Sequence, residues 1–308
     1  MSSPAILFVL LTAVAAARDD DDPKKKLVDP LETVEKLWDK GEFTEGGAAA
    51  ADGSILFSDI GDRIMRFHPV SGETSVFRQP SGRANGMIFD PKGRLVVAEG
   101  ANGGGRRISV IDRDGERHTL AKEYEGKRFN SPNDVAVDKK GRVYFTDPRY
   151  VGDEPRELDF EGVFRIDRDG DVERLETTAK KPNGIAISPD GETLYVADNG
   201  PDRRALLAMD LDDDDGDISD PRVLVDFGGA GGIDGMTVDA DGRIVAATPE
   251  GVVVFSHKGK RLALIPTPEP AANVEFGGED ASHVLYIMAG KSLYRIHTKM
   301  TGHHVPKD

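Results

Sequence analysis

One unit recurs along this chain, and it dictates what the chain can fold into. SPNDVAVDKKGRVYFTDP, from Ser131 to Pro148, reads as strand, turn, strand: Val135 and Val137 alternate with Ala136 and Asp138, a KKG turn follows, and RVYFTD alternates again. Variants start at Ala84 (ANGMIFDPKGRLVVAEG), Pro182 (PNGIAISPDGETLYVADNG) and Ile233 (IDGMTVDADGRIVAATPEG), with degenerate copies from Thr44 and from Asn273, making six. The turn glycines Gly53, Gly93, Gly141, Gly191 and Gly242 lie 40, 48, 50 and 51 residues apart, room for four short strands per copy. A ring of four-stranded sheets is a β-propeller, so an all-β, six-bladed β-propeller is predicted. The sixth copy ends in KSLYRIHT with nothing left for a fourth strand. Val34 to Trp38, within PLETVEKLWDKGEF, is expected to supply that outer strand and close the ring.

The copies agree in a second respect. Eight residues before each turn glycine stand Glu45, Asn85, Asn133, Asn183 and Asp234, and the aligned residue of the sixth copy is Asn273. Asn and Asp favour loop positions before a strand, but capping does not explain six equivalent positions that include a Glu. Arranged about an axis, these side chains converge, and a ring of oxygen donors suits a hard cation. A metal site in the central channel is therefore expected, holding one divalent cation. Oxygen-only ligands favour Ca²⁺, Mg²⁺ or Mn²⁺; Zn²⁺ is less usual without His or Cys. The second strand of each hairpin returns to the same face and ends at Asp59, Glu99, Asp147, Asp198 or Thr248. Some of these are expected to line the pocket wall, Asp147 and Asp198 foremost.

Composition narrows the chemistry. A net charge of −15 argues against nucleic acid or an anionic membrane as partner. The chain has no cysteine, which removes disulfides, thiolate metal sites and a cysteine nucleophile. No G-x-S-x-G elbow is present, and the seven histidines show no H-E-x-x-H spacing. His303 and His304 fall in a tail, residues 301–308, expected to be solvated. Asp212 to Asp215 lack the D-x-D-x-D-G alternation of a calcium loop and read as a hairpin tip. Catalysis would have to use metal and carboxylate, the metal polarising an ester or phosphoryl oxygen and a carboxylate activating water. The apolar run Ala5 to Ala17 ends in small residues and fits a signal peptide (residues 1–17), too short for a comfortable membrane span. A secreted or periplasmic protein follows, monomeric or weakly dimeric, with a charged linker over residues 18–30 and the propeller over residues 31–300.

RFNSPNDVAVDKKGRVYFTDP, KPNGIAISPDGETLYVADN and IDGMTVDADGR resemble the senescence-marker protein (regucalcin)/gluconolactonase family, in its bacterial gluconolactonase form, over nearly all of the chain after the linker. The resemblance implies a six-bladed propeller with one catalytic divalent ion, held at Glu45, Asn133, Asn183 and Asp234. It implies that Asp234 also carries the catalytic acid/base role and that Asn85, in GRANGMIFD, faces the substrate. Asp147 and Asn273 complete the expected substrate wall. Glu45 is followed by Gly46-Gly47, a departure from the family's Gly-Pro. The implied activity is opening of a small-molecule sugar lactone, such as glucono-1,5-lactone. A phosphotriesterase-type hydrolase on the same site and a non-catalytic propeller that binds sugar or protein stay open as alternatives.

Overall fold

In the computed structural model, residues 27–29, 31–277 and 283–304 are described. They form six four-stranded antiparallel sheets and one small hairpin, Glu123–Tyr124 with Lys127–Arg128. The six-bladed propeller predicted from the repeats is the fold. The innermost strands, from blade 1 to blade 6, are Thr44–Ala49, Ala84–Phe89, Val135–Val137, Pro182–Ile187, Met236–Val238 and Ala271–Phe276. Blade 6 takes its outer strand from the start of the chain: Glu35–Trp38 pairs antiparallel with Ser292–His297, with Glu35 opposite Arg295 and ion-paired to it at 2.7 Å. The expected closing strand is thus present. The signal-peptide segment and most of the charged linker lie outside the described residues.

The core is not one cluster at a centre but six, each between neighbouring blades. Ala48, Leu56 and Ile64 of blade 1 pack on Met87, Leu95 and Val97 of blade 2. The opposite face of blade 1 sets Ile55, Phe57 and Met65 against Tyr286, Met288 and Leu293 of blade 6. A second strand such as LVVAE or VYFTD is therefore buried on both faces, and this is why it reads as a nearly continuous apolar run. The turns between first and second strands explain another signature. In blades 2, 3 and 5 the sequence D-x-x-G-R places the glycine at φ between 72° and 82°, where a Cβ is disfavoured. The Asp carboxylate then accepts both the backbone N–H and the Nε–H of the Arg, as in Asp90–Arg94, Asp138–Arg142 and Asp239–Arg243.

One segment differs from expectation. Residues 301–304 are not a free tail. Gly302 bridges to Asp239, the Ala240 N–H donates to Thr301 O, and His303 and His304 line a cavity at the channel end formed by the far ends of the inner strands. Burial holds the His303 imidazole below its usual pKa. The Asp212–Asp215 run is a hairpin tip, as expected, yet it is docked: Arg142 donates to the carbonyls of Asp213 and Asp214.

The closing seam rests on an edge-to-face contact of Trp38 in blade 6 with Phe57 in blade 1, centroids 5.4 Å apart. Trp38→Ala is expected to cost about 2 kcal/mol, below the ~3–5 kcal/mol of a fully buried tryptophan because Trp38 is half-buried. A lower urea midpoint by circular dichroism, with unchanged m-value, checks it.

Candidate active site

The inner strands approach one another closely where they enter the ring, and the residue after each ring position records this. Gly46, Gly86, Gly184 and Gly235 follow Glu45, Asn85, Asn183 and Asp234. A Cβ on Gly46 would lie 2.0 Å from the Asn85 carbonyl oxygen, and one on Gly184 would lie 2.5 Å from that of Asp234. The space is filled by backbone hydrogen bonds between blades: Gly86 N–H to Asn133 O at 2.7 Å, Gly184 N–H to Asp234 O at 2.8 Å and Gly235 N–H to Ala272 O at 2.7 Å. These bonds tie three of the six inner strands, at Asn85, Asn183 and Asp234, to the next blade, so those side chains are set by the frame of the propeller.

Five of the six ring residues, Glu45, Asn85, Asn133, Asn183 and Asp234, line one cavity of about 720 Å³ at the near end of the channel. Glu45, Asn133 and Asn183 are buried and Asp234 is half-buried. Asn183 Nδ2 donates to Asp234 Oδ1 at 2.8 Å, which leaves the Asn183 carbonyl oxygen as a donor atom for a ligand. The Glu45 and Asp234 carboxyl groups lie within hydrogen-bonding reach of each other. Burial raises the pKa of both, and for Glu45 the charge of Asp234 adds to the rise. Two carboxyl groups side by side, one buried and one half-buried, with carboxamides as their neighbours, favour a proton or a cation between them. Among the described residues no three His, Cys, Asp or Glu side chains converge. The donor set is two carboxylates and two carboxamides, all oxygen, which fits Ca²⁺ or another hard divalent ion.

The sixth ring residue has a different place. Asn273 does not line this cavity: its Oδ1 accepts the Val274 N–H at 2.8 Å, and its Nδ2 donates to Glu45 Oε2 at 3.2 Å. It lies behind Glu45 and orients it, so the expected substrate contact is corrected to a positioning one. Asp147 is likewise not in the wall. It is fully buried, and its two oxygens accept the N–H groups of Asn130 and Ser131, each at 2.7 Å. Burial lifts its pKa to about 7, against those two bonds and the nearby Arg106 and Arg149. The same device recurs. Asp59 accepts from Glu42 and Phe43, and Asp198 from Lys180 and Lys181. In all three blades the residues held stand three and two positions before the ring residue. These three strand-end Asp carboxylates are staples for the ring, whereas Glu99 of blade 2 accepts from the Arg107 and Ser109 side chains instead.

The cavity also contains Tyr150, Asn199 and Arg204, and Lys181, which stands two positions before its ring residue as Phe43, Arg83 and Ser131 do. Tyr150 belongs to the segment after Asp147. Its hydroxyl faces the Asn199 and Asn183 side chains, and burial with the Asp234 charge holds its phenol above the usual range. An aromatic residue three positions beyond a strand-end Asp occurs in this copy alone, so periodicity cannot single it out.

Residues 43–291 match the family described as the SMP-30/gluconolactonase/LRE-like region. The chain belongs to this family. A gluconolactonase of Zymomonas mobilis is 32% identical over 305 residues, covering 90% of this chain and 84% of that protein. The pentonolactonase XacC of Haloferax volcanii is 30% identical over 241 residues, 74% of each. Among solved structures, a gluconolactonase from Xanthomonas campestris superposes with a TM-score of 0.79 at 33% identity, over 87% of this chain and 90% of that one. A calcium-binding regucalcin from Agrobacterium tumefaciens shares the fold at 21% identity and a TM-score of 0.74, over 90% of this chain and 97% of that one.

If Asp147 is a staple, Asp147→Ala strands two buried N–H groups and is expected to destabilise the protein by about 3 kcal/mol. Urea unfolding measures the loss. An unchanged midpoint would show that the staple carries no weight.

Proposed function

We propose that this protein is a metal-dependent sugar lactonase, opening a lactone such as glucono-1,5-lactone to its hydroxy acid. The observation that carries the reading is the oxygen-only floor of Glu45, Asn133, Asn183 and Asp234 beneath an open cavity, in a chain whose relatives include a gluconolactonase and a pentonolactonase. These four residues would hold the ion, and Ca²⁺ is the favoured occupant because every donor is oxygen. The chemistry supplied there by a bound divalent cation is polarisation of the lactone carbonyl and stabilisation of the negative charge that develops on its oxygen.

The remaining work falls to the chain itself. Asn183 holds Asp234 Oδ1, so the carboxylate presents a fixed edge to the cavity. Asp234 takes a proton from the attacking water as the new carbon–oxygen bond forms. The ring carbon–oxygen bond then breaks, and the proton returns to the departing ring oxygen, giving a hydroxyl and a carboxylic acid. Asn85, on the cavity wall, is placed to hydrogen-bond a sugar hydroxyl. Asn273 keeps Glu45 in register. The apolar run from Ala5 to Ala17 supports export to the periplasm or beyond.

Chelation should abolish enzymatic hydrolysis of D-glucono-1,5-lactone, measured above its spontaneous rate, and added Ca²⁺ should restore it. Asp234→Ala is expected to lose the bound ion by elemental analysis and at least about a thousandfold in kcat/KM. Turnover retained with normal metal content would refute the assignment of Asp234. Cleavage of a phosphotriester without any lactone turnover would move the reading to a different hydrolase on the same floor.

A further inference from the structure

The upper wall of the cavity has a charge character that a neutral sugar lactone does not need. Its acidic lining residues, Glu45 and Asp234, are both on the floor, whereas Arg83, Lys181 and Arg204 bring three cations to the wall. In a chain of net charge −15 this is a local reversal of sign. Two of the three stand together on blade 4. Asn199 N–H donates to Lys181 O at 2.9 Å, and Asn199 pairs across the sheet with Arg204. Lys181, Asn199 and Arg204 thus occupy neighbouring strands at one end of the blade, beside the floor residue Asn183.

Among the described residues neither Lys181 nor Arg204 is ion-paired with a carboxylate. Lys181 Nζ lies 4.6 Å from the centroid of the Tyr150 ring, a contact that positions a cation without neutralising it. Arg204 Nη1 donates to the Gly231 carbonyl at 2.6 Å, which fixes the guanidinium and leaves its other N–H groups available. Arg83 is held the same way, by the carbonyls of Ile60 and Asn102, though Asp62 lies near its charge. Cations anchored through carbonyls and an aromatic face, and directed at a cavity, are arranged to meet an anion. The volume of about 720 Å³ leaves room for a group beyond a single sugar ring.

We propose that Lys181 and Arg204 form an anion subsite, and that the preferred lactones carry a second acidic group, a carboxylate or a phosphate, remote from the ring carbonyl. This rests on the lactonase reading for the reaction, but the subsite can be tested without it. Calorimetric titration with D-glucarate, 6-phospho-D-gluconate and neutral D-glucitol reads the subsite directly. Both anions, or one of them, should bind the wild-type protein at least about tenfold more tightly than glucitol. Lys181→Gln/Arg204→Gln should remove that preference, and raising the salt concentration should weaken it. Which anion binds more tightly separates a carboxylate from a phosphate. In turnover, the ratio of kcat/KM for D-glucaro-1,4-lactone and 6-phospho-D-glucono-1,5-lactone over D-glucono-1,5-lactone should fall by about tenfold in the double variant. Anion binding lost in the variant, with no lactone opened by either protein, would keep the subsite and overturn the lactonase reading. Equal binding of anions and glucitol, or a preference the double variant retains, would overturn the subsite.

Discussion

The approach of the inner strands at the axis is the constraint on which the rest depends. Backbone from one blade meets backbone from the next, and a glycine must follow the ring residue wherever a Cβ would strike a neighbouring carbonyl or side chain. That proximity allows the Gly86–Asn133 and Gly184–Asp234 bonds between blades, and it brings side chains remote in sequence to one floor. Glu45 and Asp234 are far apart along the chain, yet their carboxyl groups come within reach of one another. Keeping two such groups side by side and both ionised is costly unless a cation or a proton lies between them. The packing of the fold and the chemistry of the floor therefore have a common origin in how close the strands come.

Much of this was legible in sequence because the repeat imposes equivalence. The turn glycines, the D-x-x-G-R turns and the polar residue before each first strand all recur at fixed offsets, and each has a local backbone cause. The blade count and the closing strand followed from the same arithmetic. Equivalence also misled. Asp147 and Asn273 sit at repeated positions and were expected at the substrate, but a repeated position specifies a place in the frame and leaves open which way the side chain turns. Asp147 turns into its own blade, where two N–H groups need an acceptor. Asn273 turns behind Glu45, because the Val274 N–H claims its carbonyl oxygen. The two cases differ in one respect: Asp147 still serves the whole blade, while Asn273 serves a single floor residue.

What the repeat could not show is what breaks it. Tyr150 is set by one connecting segment, with no counterpart to count against, and Lys181 and Arg204 share their positions with basic residues in only some of the other copies. Arg204 enters the cavity only because its strand pairs with the strand that ends at Asn199, a register that the sequence pattern leaves unspecified. The fold and the oxygen-lined floor thus lie in what the copies share, while the cavity's tyrosine lies in what one copy alone possesses.

The seam between blade 6 and blade 1 has a practical corollary. The chain has a single tryptophan, Trp38, and it sits on the strand that closes the ring rather than at the cavity. Its indole packs on Phe57 across that seam. Intrinsic fluorescence of this protein is therefore a natural reporter of whether the first and last parts of the chain are still joined. Occupancy of the cavity should leave the signal nearly unmoved, while opening of the ring should shift the emission toward that of a solvated indole.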